Sequence, residues 1–569
     1  MNGSITDHIL KSRYLLPGER DFTDICRRVA GWIGRDTAES EAFFRMMERR
    51  EFLPNSPILM NAGTSCNQLA ACFVIPVGET IAGIFDAVKQ GAIIQITGGG
   101  TGYNFSEIPP SGRPADPEGA VSPGPVAYLS VFDAASGAIR QGGRRRGANM
   151  GILDIQHPDI LAFINAKERE GQLSHFNLSV RVPDVVMEAY AAGELDQVLS
   201  THPATGRENT VGDVFDAIIS GMHQNGEPGL LFSDAINREN KNQNLGEITA
   251  TNPCGEEPLL PFEACILGSI NCARFVKKGK VDWKHLGTIV RLAVRFLDLA
   301  IDRSAYPLPE NREAVLKTRK IGLGVMGLHD ALIISNIPYD SSAAREFAEG
   351  LMAFITDTAV DESGRLAETS GAFPEWEGSA WDMPVRNATL TTVAPTGTIS
   401  LFAGCSPGIE PVYSFAYRRH DTAGADFDLI HLIFSERLDE EIARLGYFGD
   451  EAQSRRDLVI AEIRRRGSLQ HIGWLSFEFR RIFRSALDIS WKDHILMQAA
   501  FQRHTHASIS KTINLPAETT HEAIRDAILS AWKLSLKGLT IYRTGSRTGT
   551  VYSFAGCRMC ERDMPDEKI

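Results

Sequence analysis

Short runs of strand-like composition alternate with helical stretches over much of this 569-residue chain, and this alternation limits its fold more than any single motif. The clearest strand-like runs are ACFVIPV at 71–77, FNLSVRVP at 176–183 and ATLTTVAPT at 388–396, and residues 281–302 are a typical helical stretch. Such alternation is typical of a sheet that helices cover. The sequence therefore predicts an α/β fold with a largely buried sheet.

The pattern also changes along the chain. Residues 1–50 have apolar positions at helical spacing and predict a helical N-terminal cap. Residues 51–545 predict the α/β core, with an insertion of charge-rich helices near 420–500 that lie on its outside. Residues 546–569 have little periodicity, which predicts a flexible C-terminal tail.

Composition argues against several classes of protein. The net charge of −12 argues against a nucleic-acid partner, because such proteins need basic surface. The first residues do not form a secretory signal, and no apolar run reaches the roughly 18 residues that cross a bilayer. Nine cysteines spread over a long chain do not resemble a secreted disulfide framework. We therefore expect a cytoplasmic protein with no membrane partner.

The segment Asn252–Glu256 (NPCGE) places an amide, a thiol and a carboxylate within five residues, and Cys265 follows eleven residues after Cys254. An amide can hold a hydroxyl, a thiol can carry a radical or a nucleophilic charge, and a carboxylate can accept a proton. This combination indicates chemistry on a polyol such as a ribose. The alternative is a loop with a buried structural cysteine.

Three glycine-containing motifs could bind a ligand, but each also has a purely structural explanation. GGGTGYNFS at 98–106 lets backbone approach a ligand or another strand closely. APTGTIS at 394–400 combines backbone donors with hydroxyls and suits a diphosphate, or is a plain capped turn between a strand and a helix. GLGVMG at 322–327 matches a dinucleotide fingerprint, but the preceding AVLKTRKI is a poor buried strand, so close helix packing is favoured.

Two further motifs indicate phosphate binding and thiol exchange. Three guanidinium groups follow Gln141 inside a glycine-flanked loop that suits a phosphate, or that forms a solvated turn; they belong to Arg144, Arg145 and Arg146. Cys557 and Cys560 form a C-x-x-C pair near the C-terminus. Half a zinc site is the alternative, but a dithiol on a mobile arm is favoured, because the tail offers no further ligands.

Taken together, the chain resembles the catalytic chain of ribonucleotide reductases, and most closely the class II, adenosylcobalamin-dependent branch. The likeness runs from about Tyr14 to Cys560 and rests on nine ordered segments: FLPNSPILMNAG, QLAACFVIPV, GGGTGYNFS, GGRRRGANMGILDIQHPDI, NPCGE, KIGLGVMGLHD, APTGTIS, SKTINLP and KGLTIYRTGSR. Tyr542 lacks an adjacent tyrosine of the kind that receives a radical from a partner subunit. This favours cobalamin as the radical source.

The resemblance implies a ten-stranded α/β barrel with a central finger loop that carries Cys254. On this basis the cofactor is adenosylcobalamin, its adenosyl radical takes hydrogen from Cys254, and the thiyl abstracts the ribose 3′-hydrogen. Glu256 would accept the 3′-hydroxyl proton and Asn252 would hold the ribose hydroxyls. The resemblance implies no metal held by protein side chains.

The resemblance also assigns the remaining site residues. Cys72 and Cys265 match the pair that reduces the substrate, and Cys557 with Cys560 would re-reduce it and pass the oxidation to thioredoxin or a similar reductant. Seven residues are expected to contact the substrate: Ser56, Ala71, Thr396, Gly397, Thr398, Ile399 and Ser400.

Regulation and assembly are implied as well. The loop of Gln141 and Arg144–Arg146 resembles the loop that reports a bound deoxynucleoside triphosphate effector, and Arg113 is a possible substitute for missing phosphate-binding residues nearby. We expect diphosphate substrates and a homodimer. The alternatives are a class I catalytic subunit with a separate radical-generating partner, a glycyl-radical enzyme, a nicotinamide oxidoreductase, and a catalytically inactive nucleotide-binding paralogue.

Overall fold

The computed structural model describes residues 3–113, 121–141, 145–146, 148–420, 426–547 and 552–553. Its helices are α1 Gly3–Ile9, α2 Phe22–Ile33, α3 Thr37–Glu48, α4 Ser56–Asn61, α5 Ile81–Ile96, α6 Pro125–Ala138, α7 Ile160–Ile164, α8 Asp184–Ala192, α9 Val211–Asn225, α10 Ser233–Arg238, α11 Trp283–Arg303, α12 Pro309–Thr318, α13 Leu328–Ile334, α14 Ser342–Ser370, α15 Ile399–Ala403, α16 Leu432–Arg444, α17 Gly449–Arg466, α18 Phe477–Ile482, α19 Trp491–Gln502 and α20 His521–Lys533. No helix within these ranges combines the length and the apolar character that crossing a membrane requires.

The strands are mostly short. They are β1 Phe52–Pro54, β2 Cys72–Val74, β3 Gly100–Asn104, β4 Arg140–Gln141, β5 Arg145–Arg146, β6 Asn149–Asp154, β7 Phe176–Val182, β8 Val198–Thr201, β9 Glu208–Thr210, β10 Gly229–Phe232, β11 Ala250–Thr251, β12 Pro258–Leu259, β13 Ala264–Asn271, β14 Val276–Lys277, β15 Lys280–Val281, β16 Ile321–Met326, β17 Ala416–His420, β18 Asp426–Ile430, β19 Thr512–Leu515, β20 Gly538–Arg543 and β21 Tyr552–Ser553.

The N-terminal helices form for local reasons that the sequence carries. Asp21 caps α2 by accepting hydrogen bonds from the backbone N–H groups of Thr23 and Asp24, which a helix start otherwise leaves without partners. Ile25, Val29 and their helical-period neighbours are buried along one face. The α2 and α3 pair packs against α11, which covers one side of the sheet.

Ten strands form one sheet in the order β1-β13-β2-β3-β6-β7-β10-β20-β19, with β16 on the other edge of β13. Parallel pairs predominate, and β13 pairs antiparallel with β1 and β2. Two isolated bridges, Leu323 with Thr391 and Val393 with Ile509, continue from β16 towards β19. They close the sheet into a ring, so the prediction of a ten-stranded α/β barrel is confirmed.

The closed sheet separates two apolar regions. The main core lies between the sheet and its covering helices. A smaller cluster lies apart from it and includes Cys72, Met150, Leu231, Cys265 and Leu267. The insertion has its own apolar cluster, built mainly on α16, α17 and α18. The sulfur atoms of Cys72 and Cys265 are therefore surrounded by apolar side chains that exclude water.

Two local predictions differ from the structure. The run ATLTTV makes only single bridges rather than a continuous strand, although its backbone occupies a strand position in the ring. The GLGVMG motif is not a site of helix packing, because Gly322 and Gly324 lie within β16 and only Gly327 precedes a helix. A side chain at Gly324 would lie 2.3 Å from the carbonyl oxygen of Thr392. The glycines therefore serve close strand approach.

Candidate active site

A short hairpin carries the NPCGE motif. Strands β11 and β12 pair antiparallel, and residues 252–257 form the tip between them. The Asn252 side-chain oxygen accepts the N–H of Glu257 at 2.9 Å, and its carbonyl accepts the N–H of Gly255 at 3.1 Å. Gly255 has φ +80°, which a side chain would disfavour. These bonds fix the tip and leave Cys254 exposed to a cavity of about 310 Å³.

The glycines of β3 let this hairpin cross the sheet closely. A Cβ atom at Gly102 would lie 1.8 Å from the carbonyl oxygen of Thr251, and one at Gly100 would lie 2.9 Å from the ring of Pro253. The sequence left two partners open for this glycine loop, a ligand or another strand. The structure provides a backbone segment at Gly100 and Gly102, and Gly98–Gly100 also border the 310 Å³ cavity. The glycines of β3 let the finger lie close against this strand.

Cys72 and Cys265 lie directly opposite each other in the antiparallel pair of β2 and β13. Opposed residues in such pairs have Cα atoms roughly 4.5–5.5 Å apart, which is within the span of a disulfide. Both are free thiols. Cys72 lines the 310 Å³ cavity and is 4% exposed, whereas Cys265 is 0% exposed and lies behind it. The fold thus joins two cysteines that are 193 positions apart, as their numbers give.

The surroundings keep both thiols protonated. Burial raises the pKa of Cys72 well above its ordinary value, and the nearby carboxyls of Glu256 and Glu257 raise it further. The Asn252 amide donates a hydrogen bond to the Cys72 sulfur at 3.0 Å and opposes that rise. Burial and the Glu257 carboxyl raise the pKa of Cys265 in the same way. A pair of this kind is suited to donate hydrogen rather than to act as a thiolate.

Glu256 is buried and lines the same cavity. Its carbonyl oxygen accepts the hydroxyl of Thr392 at 2.9 Å and the N–H of Ser508 at 2.9 Å. The finger tip is therefore tied to two segments on the far side of the ring. This holds a carboxyl beside the thiol of Cys254.

The APTGTIS segment forms a tight turn before the five-residue helix α15. Thr396 has φ +51°, and its hydroxyl accepts the N–H of Gly408 at 2.7 Å. Thr396, Gly397, Thr398 and Ile399 line the 310 Å³ cavity, and Ser400 lines a neighbouring cavity of about 750 Å³. Gly397 borders both. The turn therefore separates the two cavities.

Ser56 and Ala71 line the smaller cavity as well. Ser56 begins α4, and its hydroxyl accepts a hydrogen bond of 2.7 Å from the Tyr14 hydroxyl, which the sequence analysis did not connect to the site. Tyr14 ends a π-helical turn, Leu10–Tyr14, so the N-terminal helical region reaches the cavity. All seven residues expected at the substrate therefore border these two cavities.

The other predicted site residues lie elsewhere. Gln141 and Arg145–Arg146 form the two-stranded ladder β4–β5, which follows α6. Arg113 is exposed. Arg144, Cys557 and Cys560 lie outside the described residues. Within the described ranges, no group of three or more His, Cys, Asp or Glu residues could hold a metal ion.

Sequence reasoning missed Glu257. It is 0% exposed, and burial together with the Glu256 carboxyl raises its pKa to about 8. It follows the NPCGE motif directly, so a second consecutive carboxyl was the available signal. Its meaning depends on which groups face it. Cys265 of β13 is eight residues further along the chain, but Gly322 of β16 and Thr392 are at least 65 residues away.

Family comparisons agree with this geometry. The chain matches the ribonucleotide reductase barrel domain over residues 70–386 and 382–542, and the ribonucleotide reductase all-alpha domain over residues 5–67. It is similar to a vitamin B12-dependent ribonucleoside-diphosphate reductase of Mycobacterium tuberculosis, with 46% identity over 91% of this chain and 72% of that protein. A protein of the same name from Thermoplasma acidophilum is 42% identical over 92% of this chain and 67% of its own length.

A solved structure extends the comparison to the fold. The class Id ribonucleotide reductase alpha subunit of Actinobacillus ureae superposes with a TM-score of 0.80 and 24% identity, covering 95% of this chain and 97% of that one. The two domain models together span most of the sequence, and the mycobacterial relative aligns over nearly all of it. The chain therefore belongs to the ribonucleotide reductase family.

Proposed function

We propose that this chain reduces ribonucleoside diphosphates to 2′-deoxyribonucleotides in an adenosylcobalamin-dependent reaction, and so supplies precursors for DNA. One observation carries the proposal: Cys254, Glu256 and Cys72 border a single cavity, and Cys265 lies directly opposite Cys72. Relatives named vitamin B12-dependent ribonucleoside-diphosphate reductases, at 42% and 46% identity, support the cofactor and the diphosphate substrate.

The finger tip performs the first step. A thiyl radical on Cys254 removes the 3′-hydrogen of the ribose, and Glu256 accepts the proton of the 3′-hydroxyl. Asn252 has its oxygen committed to the N–H of Glu257 and its nitrogen directed at Cys72, so it links the finger to the thiol pair. Placing three groups on one rigid hairpin fixes their distances to the sugar.

The opposed cysteines supply the electrons. Cys72 faces the cavity and gives its proton to the departing 2′-hydroxyl, which leaves as water. The pair then provides the second hydrogen and two electrons, and a bond forms between the two sulfur atoms. Cys254 then returns a hydrogen to C3′ and is a thiyl radical again. One ribonucleotide and two thiols become one deoxyribonucleotide, one water and one disulfide.

The turn at 394–400 would bind the phosphate groups. Backbone N–H groups and hydroxyls that border the cavity suit phosphate oxygens. Ser56 and Ala71 border the opposite part of the same cavity and would contact the nucleoside. The Thr396 hydroxyl oxygen accepts the N–H of Gly408, so this bond leaves the hydroxyl hydrogen to donate to a phosphate oxygen.

The larger cavity is where adenosylcobalamin would bind, because its lining offers polar groups that suit the rim of a corrin ring. It has a volume of about 750 Å³ and meets the catalytic cavity at Gly397. The buried hydroxyl of Ser406 in its lining has no hydrogen-bond partner within the described part of the chain. Ser414, Thr512 and Asn514 add polar groups that could pair with amide side chains of a corrin ring. Bound there, adenosylcobalamin supplies the radical by homolysis of its cobalt–carbon bond.

The proposal also includes an effector nucleotide and a reductant for the disulfide. A deoxynucleoside triphosphate would bind as an effector near Arg113 and the β4–β5 ladder, where Gln141 and Arg144–Arg146 lie in the chain. Cys557 and Cys560 would reduce the Cys72–Cys265 disulfide by thiol exchange and pass the oxidation to thioredoxin or a similar dithiol. A reducing compartment such as the cytoplasm suits this chemistry.

We also propose a homodimer. Helix α5 exposes Ile81, Phe85, Ile93 and Ile96, and the adjoining α6 exposes Val131. Phe85 is 51% and Ile96 is 60% exposed. An apolar helical face of this kind is costly in water, and a second copy of the chain brings an identical face that covers it.

Reduction of CDP tests the function. Wild-type protein, Cys254→Ala and Cys66→Ala are assayed with a dithiol and effector nucleotides, with and without adenosylcobalamin. Cys66 is a matched control because it is an exposed free cysteine that does not border the catalytic cavity. We expect product from wild type and Cys66→Ala only with the cofactor, and none from Cys254→Ala.

Each of the remaining outcomes would contradict part of the proposed function. Product without cobalamin would indicate a class I subunit, provided that a radical-generating partner is present. No product from folded wild type under every effector would indicate an inactive paralogue. Activity in Cys254→Ala would remove the proposed thiyl radical.

A further inference from the structure

Glu257 is a buried carboxyl whose side chain has no role in the reaction described so far. Its backbone is fixed by the finger, since its N–H binds Asn252 and its carbonyl accepts the N–H of Asn252 at 3.3 Å. Unlike Glu256, it does not border the catalytic cavity. Adjacent residues of the finger therefore face different surroundings: one meets the substrate cavity, and the other meets the protein interior.

The neighbour of this carboxyl is the more deeply buried thiol. Glu257 and Cys265 lie close enough for each to affect the other's pKa. Neither carboxyl oxygen has a hydrogen bond of standard geometry within the described residues, although the Cys265 thiol and the Thr392 hydroxyl both lie near enough to lower its pKa. A Cβ atom at Gly322 would lie 2.6 Å from Glu257 Oε1, so this glycine leaves space for the carboxyl.

The positions of the two sulfur atoms dictate the order of disulfide reduction. An incoming thiolate can reach Cys72 from the cavity, whereas Cys265 is 0% exposed and absent from the cavity lining. Attack on Cys72 makes Cys265 the leaving group. A thiolate released in that interior is costly, because burial strongly disfavours the charged sulfur.

We infer that Glu257 is the general acid that protonates Cys265 when the Cys72–Cys265 disulfide is reduced, an inference that rests on the proposed function of this pair. A dithiol ionises at one sulfur and attacks Cys72, the disulfide bond breaks, and the Glu257 proton moves to Cys265. The second sulfur of the dithiol then displaces Cys72, and its proton ends on Cys72. Glu257 regains the proton that the first sulfur lost to solvent. The dithiol is oxidised to a disulfide and both cysteines are reduced.

Other charged groups surround this carboxyl. Glu256 lies on the same hairpin, and Lys320 next to β16 is paired with Glu263 at 2.6 Å. The Lys320 carbonyl lies 3.8 Å from the Cys265 sulfur. Lys537 also influences this region, but its ammonium donates to the carbonyls of His506 and Ala507. Tyr306 also lies near Cys265, but its hydroxyl donates to the carbonyl of Ile301. Among these groups, Glu257 is the carboxyl that lies near enough to Cys265 for the two side chains to affect each other.

Stopped-flow reduction of the preformed disulfide tests the inference without ribonucleotide turnover. The full chain carries Cys557→Ser and Cys560→Ser, so that tail thiols do not exchange, and is oxidised with diamide. Peptide mapping verifies the Cys72–Cys265 bond. Reduction by dithiothreitol is then followed from pH 6 to 9, and each rate is divided by the dithiothreitol thiolate concentration.

With Glu257 intact, the normalised rate should be constant at low pH and fall as pH rises through about 8, because the acid form is lost above its pKa. Glu257→Gln should react about 100-fold more slowly at pH 7 and lose this pH step. Glu256→Gln is the matched control: it should retain the normalised rate at pH 6 and a pH step, moved to lower pH because the repulsion from Glu256 is removed, while losing CDP reduction.

The outcomes separate this inference from the proposed function. If oxidation never joins Cys72 to Cys265, the redox pair and the inference both fail. If the disulfide forms but Glu257→Gln is reduced at the parent rate and with the parent pH profile, only the inference fails. If Glu257→Gln does not fold, a normalised parent rate that stays constant through pH 8 overturns the inference, and Glu257→Asp, which keeps an acid, should retain a pH step.

Discussion

At the scale of single residues, neighbours in sequence differ in chemistry because the fold surrounds them differently. Glu256 and Glu257 are both buried carboxyls on one hairpin, but the first borders the cavity and the second faces Cys265. The residue type alone gives both an acid near pH 4. Burial and the mutual repulsion of the two carboxyls bring the pKa of Glu257 to about 8, so it carries a proton at neutral pH.

A substitution at Gly322 tests the packing around Glu257 through the stability of the protein. A Cβ atom there would lie 2.3 Å from Leu267 Cδ2 and 2.6 Å from both Glu257 Oε1 and Thr392 Cγ2. We therefore expect Gly322→Ala to lower the free energy of unfolding by about 1–3 kcal/mol, because an overpacked interior must shift. Urea unfolding midpoints at pH 7 measure the change.

Gly350→Ala is the control for Gly322→Ala. Gly350 lies in α14 with no atom within 4 Å of a new Cβ, so alanine there should stabilise the helix by roughly 0.5–1 kcal/mol. Equal effects of the two substitutions on the urea midpoint would contradict the crowding around Glu257.

The sequence predicted residue types at the site better than it predicted their neighbours. Cys254, Glu256 and Cys72 all border one cavity, and the motif spacing alone grouped the first two. Placing Cys265 beside Cys72 required the register of β2 on β13, which no local pattern contains. Tyr14 was missed for the same reason, since its partner Ser56 is distant in sequence. Glu257 was missed because neither its complete burial nor its neighbour Thr392 can be read from the local sequence.

At the scale of elements, the finger hairpin depends on the strand beneath it. β11 and β12 pair over only two residues each, which is too little to fix a loop by itself. The close approach of Thr251 and Pro253 to β3, and the bonds from Thr392 and Ser508 to Glu256, hold the finger at both faces. The position of Cys254 thus depends on β3 and on the segments that carry Thr392 and Ser508.

Gly102→Ala should displace the finger. Its new Cβ would lie 1.8 Å from the Thr251 carbonyl oxygen, and a backbone atom cannot rotate away as a side chain can. A shift of about 1 Å at a reacting group costs on the order of 100-fold in rate, so we expect kcat for CDP to fall at least that far. Gly31→Ala, in α2 with nothing within 4 Å, should retain full kcat. Similar kcat values for both variants would show that contact with β3 does not determine the position of the finger hairpin.

Elements were predictable where their patterns are local. The helix expected at 281–302 is α11 at Trp283–Arg303, and the strand expected at 176–183 is β7 at Phe176–Val182. The run ATLTTV has strand composition, yet it makes only isolated bridges, because its neighbours in the ring are β16 on one side and Ile509 on the other. Its structure is decided by how the barrel closes.

At the scale of the whole molecule, closing the sheet both removes exposed edges and creates the reaction chamber. Strand β13 pairs with β1 and β2 along one edge and with β16 along the other, so it carries Cys265 in the wall of the ring, opposite Cys72. A closed ring excludes water from the thiol pair and leaves entry through the cavities beside Gly397. Surface that lies outside this ring is then available for assembly.

The α5–α6 face is the part of that surface that we propose for the dimer contact. We expect wild-type protein to have about twice the 62.4 kDa chain mass by size-exclusion chromatography with light scattering, and Phe85→Glu or Ile96→Glu to shift it to the single-chain mass. A carboxylate buried in an apolar interface without a partner is strongly unfavourable.

Phe448 is 71% exposed but lies beside α17, in the insertion, so Phe448→Glu should leave the mass unchanged. A wild-type monomer, or a dimer that survives both α5 substitutions, would place the contact elsewhere or remove it. Because the β4–β5 ladder directly follows α6, loss of the dimer should also weaken the response of CDP reduction to effector nucleotides.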